Sequence, residues 1–175
     1  LLASSAASDV YKRQRLRELG YRITDQSVYE AFAHVTRLTG LMGRWQQLQA
    51  SPRLICDTGH NTGGMQYIAR QLRNEHYDTL RIVIGMVNDK DISGVLAMLP
   101  KEATYYFTRA SVPRALPQDK LEALATQAGL KGRSFPTVKE AVTAAQKESR
   151  PEDLIFVGGS TFIVADLLQF MPLPQ

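Results

Sequence analysis

Arg53-Leu54-Ile55-Cys56-Asp57-Thr58-Gly59-His60-Asn61-Thr62-Gly63-Gly64 is the stretch whose reading decides the fold. Leu54, Ile55 and Cys56 form an apolar run of the kind that sits inside a parallel sheet, which puts Asp57 at the carboxyl end of a strand. In open α/β sheets that end is where ligands bind. Gly59 is expected to permit a sharp turn, and Asn61 to cap a helix beginning near Thr62, whose first-turn amides would face an anion. Asp57, His60 and Asn61 then converge on one rim. Asp, Gly and Asn are equally ordinary residues of a strand-to-helix turn, and spacing alone does not separate the two readings.

Downstream of this stretch the chain alternates. Strands are predicted over 53–57, 80–86, 103–108, 133–135 and 154–157, separated and followed by helices over 62–76, 91–98, 118–128, 137–148 and 160–169. Repeated strand-helix units with β-branched strands imply an α/β fold with a Rossmann-like, doubly wound, mostly parallel sheet. Its carboxyl-edge turns, 57–64, 87–91, 109–114 and 158–161, form one surface on which residues distant in sequence meet.

Upstream, Arg15-Leu16-Arg17-Glu18-Leu19-Gly20 reads as the last turn of a helix stopped by glycine. Asp25 or Ser27 can cap a second helix through Val28, Ala31, Phe32, Val35 and Leu38, spaced as one buried face requires. Gly40 and Gly43 frame a break that suits a hinge. The first 14 residues fit nothing that follows, and Ser8-Asp9-Val10-Tyr11-Lys12-Arg13-Gln14 resembles translated adaptor sequence. Residues 1–14 are therefore set aside as a non-native leader, 15–43 as the end of another domain plus the hinge, and 44–175 as the α/β domain.

Composition bounds the function. At 175 residues, 44% hydrophobic and 22% charged, the chain is long enough for one proper core. A net charge of +4, with Lys and Arg scattered among the acids, gives little support to nucleic-acid binding and suits anionic small molecules or simple solubility. The single cysteine, Cys56, excludes an internal disulfide and a cysteine metal site, and the three histidines lack zinc spacing on one helix. No apolar run reaches the ~20 residues of a membrane span, so a cytoplasmic, reducing location is the default.

Further constellations carry candidate chemistry. Ile155-Phe156-Val157-Gly158-Gly159-Ser160-Thr161 again places glycines and a hydroxyl between a strand and a helix, either as an anion cradle or as a capped turn. No Lys follows those glycines, so it is not a P-loop. In Gly85-Met86-Val87-Asn88-Asp89-Lys90-Asp91, Asp91 is a predicted helix cap and Lys90 can reach a phosphate or carboxylate, or simply be solvated. Ser111 and Arg114 lie on a loop stiffened by Pro113. Arg44, in the hinge, can contact a nucleotide held between two bodies. Trp45, Tyr105 and Tyr106 read as packing residues.

Taken in order, Leu41-Met42-Gly43-Arg44-Trp45, Asp57-x-x-His60-Asn61, Gly85-Met86-Val87-x-Asp89-Lys90-Asp91, Ser111-x-Pro113-Arg114-Ala115 and Val157-Gly158-Gly159-Ser160 resemble the carboxy-terminal domain of the folylpolyglutamate synthase/dihydrofolate synthase family, in the Mur ligase superfamily. Five motifs over residues 15–170 are far more specific than any one. The cell-wall branch more usually carries a Tyr-Asn-Ala-Asn type run where this chain has Gly59-His60-Asn61. The resemblance implies an ATP- and Mg2+-dependent ligase that joins L-glutamate to folate or dihydropteroate through an acyl phosphate. It further implies a monomer whose ATPase body, with the P-loop and Mg2+ ligands, lies upstream of this chain.

By the same resemblance, Arg44 would stand near the phosphates or ribose of ATP, Asp57 near the ribose, His60 close to the transferred phosphoryl group, and Ser160 and Lys90 near substrate. Phe162 stands where the family often has Tyr. Two other classes remain open on sequence: a non-catalytic Rossmann-like nucleotide-binding module, and a nicotinamide oxidoreductase, which suffers from the lack of Gly-x-Gly-x-x-Gly after the first strand.

Overall fold

The structure is a computed structural model that describes residues 2–88 and 91–171, with side chains from residue 9 onward. Contacts divide it into a unit ending at Met42 and a unit beginning at Gly43. The first unit has three helices, α1 (Leu2–Glu18), α2 (Asp25–Ala33) and α3 (Val35–Thr39). α1 runs unbroken through the boundary expected at residue 14, and Arg17 in its last turn donates to Ile23 O (2.8 Å) and Asp25 Oδ1 (3.0 Å).

The helix expected over 25–38 is instead two, interrupted at His34 (φ −126°), and its cap is Thr24, whose hydroxyl oxygen accepts the Ser27 N–H at 3.0 Å. Neither α2 nor α3 contains a buried residue, so the face predicted to be buried is not: Phe32 is 75% and Leu38 58% exposed. The spacing is that of an apolar stripe, but within this unit it is covered only in part, with Val28 and Val35 half-buried.

The second unit is a six-stranded sheet in the order β1-β2-β6-β3-β4-β5, formed by β1 (Gln46–Ala50), β2 (Arg53–Asp57), β3 (Leu80–Ile84), β4 (Thr104–Phe107), β5 (Lys131–Ser134) and β6 (Leu154–Gly158). β2 through β5 and β6 are parallel, and only β1 is antiparallel, as a hairpin partner of β2. The intervening helices are α4 (Thr62–Asn74), α5 (Ile92–Met98), α6 (Gln118–Gln127), α7 (Val138–Glu148) and α8 (Thr161–Phe170). The doubly wound α/β fold expected from the sequence is what the chain forms.

Successive strand residues point to opposite faces, and two cores result. Ile55, Ile82, Ile84, Tyr105, Phe107, Leu154 and Phe156 pack with α4, α5 and α6. Leu54, Cys56, Val83, Tyr106, Ile155 and Val157 pack with α7 and α8. Each fully buried large side chain contributes roughly 1.5–3 kcal/mol, which is why β6 reads as an unbroken apolar run and β2 and β3 carry runs of three apolar residues, 54–56 and 82–84. Tyr105 keeps its hydroxyl satisfied inside by donating to Pro100 O at 2.6 Å.

Burial also sets an alkaline limit. Desolvation, with the nearby Asp57 charge, pushes the Cys56 thiol up from 9.0 to about 12. Desolvation, then the hydrogen bond to Glu148, pushes the Tyr106 hydroxyl up from 10.0 to about 12, and burial raises Tyr105 as well. The folded chain thus holds protons that the unfolded chain releases, and stability present below pH 9 is lost as pH rises towards 12. Each group contributes a slope of at most about 1.4 kcal/mol per pH unit. Urea midpoints compared at about pH 8 and about pH 11 should fall steeply, and equal midpoints would show that these protons are not held by the fold.

Candidate functional site

The strand order builds the site. Because β6 returns to lie between β2 and β3, Gly158 is in register with Asp57 on one side and Ile84 on the other. Their carboxyl-edge turns are therefore neighbours, at the crevice where open α/β sheets bind ligands. A cleft of about 250 Å³ lies there, lined by His60, Val87, Arg114, Ser160, Thr161 and Phe162. Four separate turns supply its walls, the convergence expected from the sequence.

In the first turn, Asn61 caps α4 as expected, its Oδ1 accepting the Gly64 N–H at 2.8 Å. Gly59 is needed for a different reason from the one expected. Its φ is not left-handed, but a Cβ there would run into the Ile68 side chain and lie 3.2 Å from Asp57 Oδ1. His60 is half-buried, with Nδ1 3.0 Å from Thr58 O. A carbonyl can only accept, so Nδ1 carries the proton, and in the neutral ring Nε2 keeps its lone pair.

In the β6 turn, Gly159 adopts a left-handed backbone (φ 88°), and the buried Ser160 caps α8, its Oγ accepting the Phe162 N–H at 3.2 Å. The hydroxyl proton of Ser160 is not used in that bond. Across the cleft the Arg114 guanidinium lies 4.8 Å from the Phe162 ring centroid, a cation over an aromatic face. The Arg114 loop is fixed to the β3 turn by the Asn88 N–H to Arg114 O bond (3.2 Å) and the Val87–Ala115 bridge.

Asp57 ends β2 with its carboxylate divided between two amides. Oδ1 accepts from Gly59 N–H and Oδ2 from Trp45 N–H, both at 2.7 Å. Trp45 has a left-handed backbone (φ 45°), which costs a bulky L-residue about 1–2 kcal/mol. A hydrogen bond to a charged group returns about 1.5–3 kcal/mol, enough to hold that conformation. Arg44 is exposed, its Nη1 donating to Gly43 O at 3.2 Å, and is not among the cleft walls. Trp45 itself packs on the core, its ring 6.1 Å from Phe156.

His60 and Ser160 are thus brought to one cleft; Asp57, like Arg44, is not among its walls, and the two are joined through the Trp45 amide. Lys90 and Asp89 lie outside the described residues. Asp91 caps α5, accepting from Gly94 N–H at 3.0 Å. Ser111 is committed elsewhere, donating from both N–H and Oγ to the Asp166 carboxylate at 2.7 Å. Arg114 and Phe162, which the sequence did not single out as a pair, are cleft residues. The signals for Arg114 were its place on a Pro-stiffened loop after a strand and in the motif Ser111-x-Pro113-Arg114-Ala115. Among the described residues, no group of three or more His, Cys, Asp and Glu could hold a metal, and no helix is long and apolar enough to cross a membrane.

Residues 43–161 match the family described as Mur ligase, glutamate ligase domain. The chain is 31% identical over 157 residues to the dihydrofolate synthase/folylpolyglutamate synthase of Escherichia coli, covering 88% of this chain and 35% of that protein. It is 32% identical over 138 residues to a probable bifunctional folylpolyglutamate synthase/dihydropteroate synthase of Halobacterium salinarum, covering 78% and 17%. Among solved structures, the Escherichia coli enzyme in complex with DHPP and ADP superposes with a TM-score of 0.74 at 29% identity, over 88% of this chain and 36% of that one. A bifunctional folylpolyglutamate synthase/dihydrofolate synthase with Mn, AMPPNP and L-glutamate bound gives 0.66 at 29% identity, over 74% and 31%. The chain therefore spans about a third or less of the length of these relatives. With most of its sheet domain matched, the chain belongs to the Mur ligase family, as a glutamate ligase domain.

Proposed function

We propose that this chain is part of an ATP-dependent ligase that adds L-glutamate to folate, to dihydropteroate, or to both, acting as a folylpolyglutamate synthase/dihydrofolate synthase. The observation that carries the reading is the shared cleft of His60 and Ser160, reached from two turns of one sheet edge and bounded by the Arg114 guanidinium. Residues 15–43 are assigned to the end of an upstream ATPase body and the hinge. The Mg2+ ligands are assigned to that body as well.

In this reading, ATP transfers its terminal phosphoryl group to a folate carboxylate, leaving ADP and an acyl phosphate. The glutamate amine attacks the acyl carbon, and inorganic phosphate and the amine proton leave as the amide forms. Arg44 and Asp57 make the nucleotide side of the site, Arg44 near phosphates or ribose and Asp57 near the ribose. His60 stands beside the transferred phosphoryl group, where a fixed polar group acts on charge that develops in the transition state. Ser160 bears on the incoming glutamate, and Lys90 is assigned to substrate binding. Closure of the two bodies keeps water from the acyl phosphate.

Joining the chain to the upstream region of its own gene and assaying glutamate- and ATP-dependent extension of dihydropteroate and of reduced folate tests the reading. Extension of either by the joined protein, with none by residues 15–175 alone, is the expected result. A joined, folded protein that hydrolyses ATP but extends neither substrate would refute it.

A further inference from the structure

The carboxylate of Asp57 is placed less like a ligand waiting for a partner than like a clasp. One oxygen takes the Gly59 amide of its own turn, and the other takes the amide of Trp45, 12 residues earlier in sequence. The segment it grips is held at Gly43 as well. Gly43 N–H donates to Gln46 Oε1 at 2.8 Å, Thr58 N–H donates to Gly43 O at 2.9 Å, and a Cβ on Gly43 would sit 2.6 Å from Thr58 Cγ2. Arg44 is the one residue of the segment with an exposed, charged side chain, and it lies between the buried Gly43 and the left-handed Trp45.

The geometry points to Asp57 as a positioning residue for Arg44. Its bond to the Trp45 amide holds that residue in a backbone conformation it would not otherwise keep, and so fixes the direction in which the Arg44 guanidinium leaves the sheet edge. This rests on the reading of Arg44 as a nucleotide contact and assigns most of Asp57's share in ATP use to Arg44. The clasp itself does not depend on that reading.

Two measurements separate the clasp from the nucleotide reading. In the chain as it stands, through-hydrogen-bond couplings from the Trp45 and Gly59 amide nitrogens to the Asp57 carboxyl carbon should both be detectable by NMR. In Asp57→Asn, whose amide group cannot accept from both donors, exchange of the Trp45 amide should accelerate at least about tenfold. Absence of the Trp45 coupling overturns the proposal whatever the kinetics show.

In the ligase joined to its upstream body, Asp57→Asn should lower kcat/KM for ATP about tenfold. Most of that loss should vanish when Asp57→Asn is made in an Arg44→Ala background, while KM for glutamate stays within about twofold throughout. Additive losses would overturn the proposal in favour of an independent contact between Asp57 and nucleotide. Unchanged ATP dependence in both single variants, with the couplings intact, would overturn the nucleotide reading and the positioning role together, leaving a purely structural clasp.

Discussion

Gly159→Ala is expected to destabilise the sheet domain by about 3–4 kcal/mol, the sum of a left-handed backbone penalty and an overpacking penalty. Gly159 has φ 88°, and a Cβ added there would lie 2.7 Å from Gly85 O and 2.7 Å from Ile84 Cγ1. Neither neighbour can withdraw cheaply, since one is backbone in the β3 turn and the other is a fully buried core residue. Gly129→Ala is the control that separates the two causes. Its φ is similar at 82°, but the nearest atom is the flexible Lys101 amine at 3.8 Å, so only the backbone penalty of about 1–2 kcal/mol applies. For a domain of this size the first change should lower the melting temperature by roughly 10 °C and the second by less than half of that. Equal shifts in the two variants would mean that close packing of the β6 turn on the β3 turn is not what demands glycine there.

The parallel strands were legible because their burial on both faces leaves apolar runs such as 82–84 in β3 and Leu154–Gly158 in β6. The one charge inside β3, Arg81, is kept there by its ion pair with Asp153 at 3.0 Å. β1 was missed because the residues that alternate inward on it are Gln46 and Leu48, and a buried glutamine hides a period of two. Gln46 is tolerated inside only because its Oε1 satisfies the Gly43 amide, a contact invisible in a hydropathy pattern. The same holds for the site. Asn61 and Asp91 act on amides three residues away, and local spacing revealed them as caps. Asp57 reaches back 12 residues and Ser111 forward 55, so their true partners, Trp45 and Asp166, depend on the finished fold. With two amides held by a half-buried carboxylate, loss of Asp57 acts on the structure of its turn.

His60→Ala in the joined ligase is expected to lower kcat by about 10²–10³, the range lost when one preorganised group at a developing charge is removed. The stability cost should be small, about 1 kcal/mol, since the half-buried ring makes one recorded hydrogen bond, to Thr58 O. The tautomer gives a sharper test. If Nδ1–H serves only to orient the ring, Asn at this position can still donate to Thr58 O yet offers nothing where Nε2 stood. His60→Asn should therefore recover most of the lost stability and almost none of the lost rate, with KM for ATP within a few-fold of the parent. A His60→Asn enzyme as fast as the parent would move the chemistry away from Nε2 and leave His60 as a brace for the turn. A variant that instead loses ATP affinity while keeping kcat would transfer His60 from the reacting phosphoryl group to uniform nucleotide binding, because only an interaction strengthened in the transition state changes turnover.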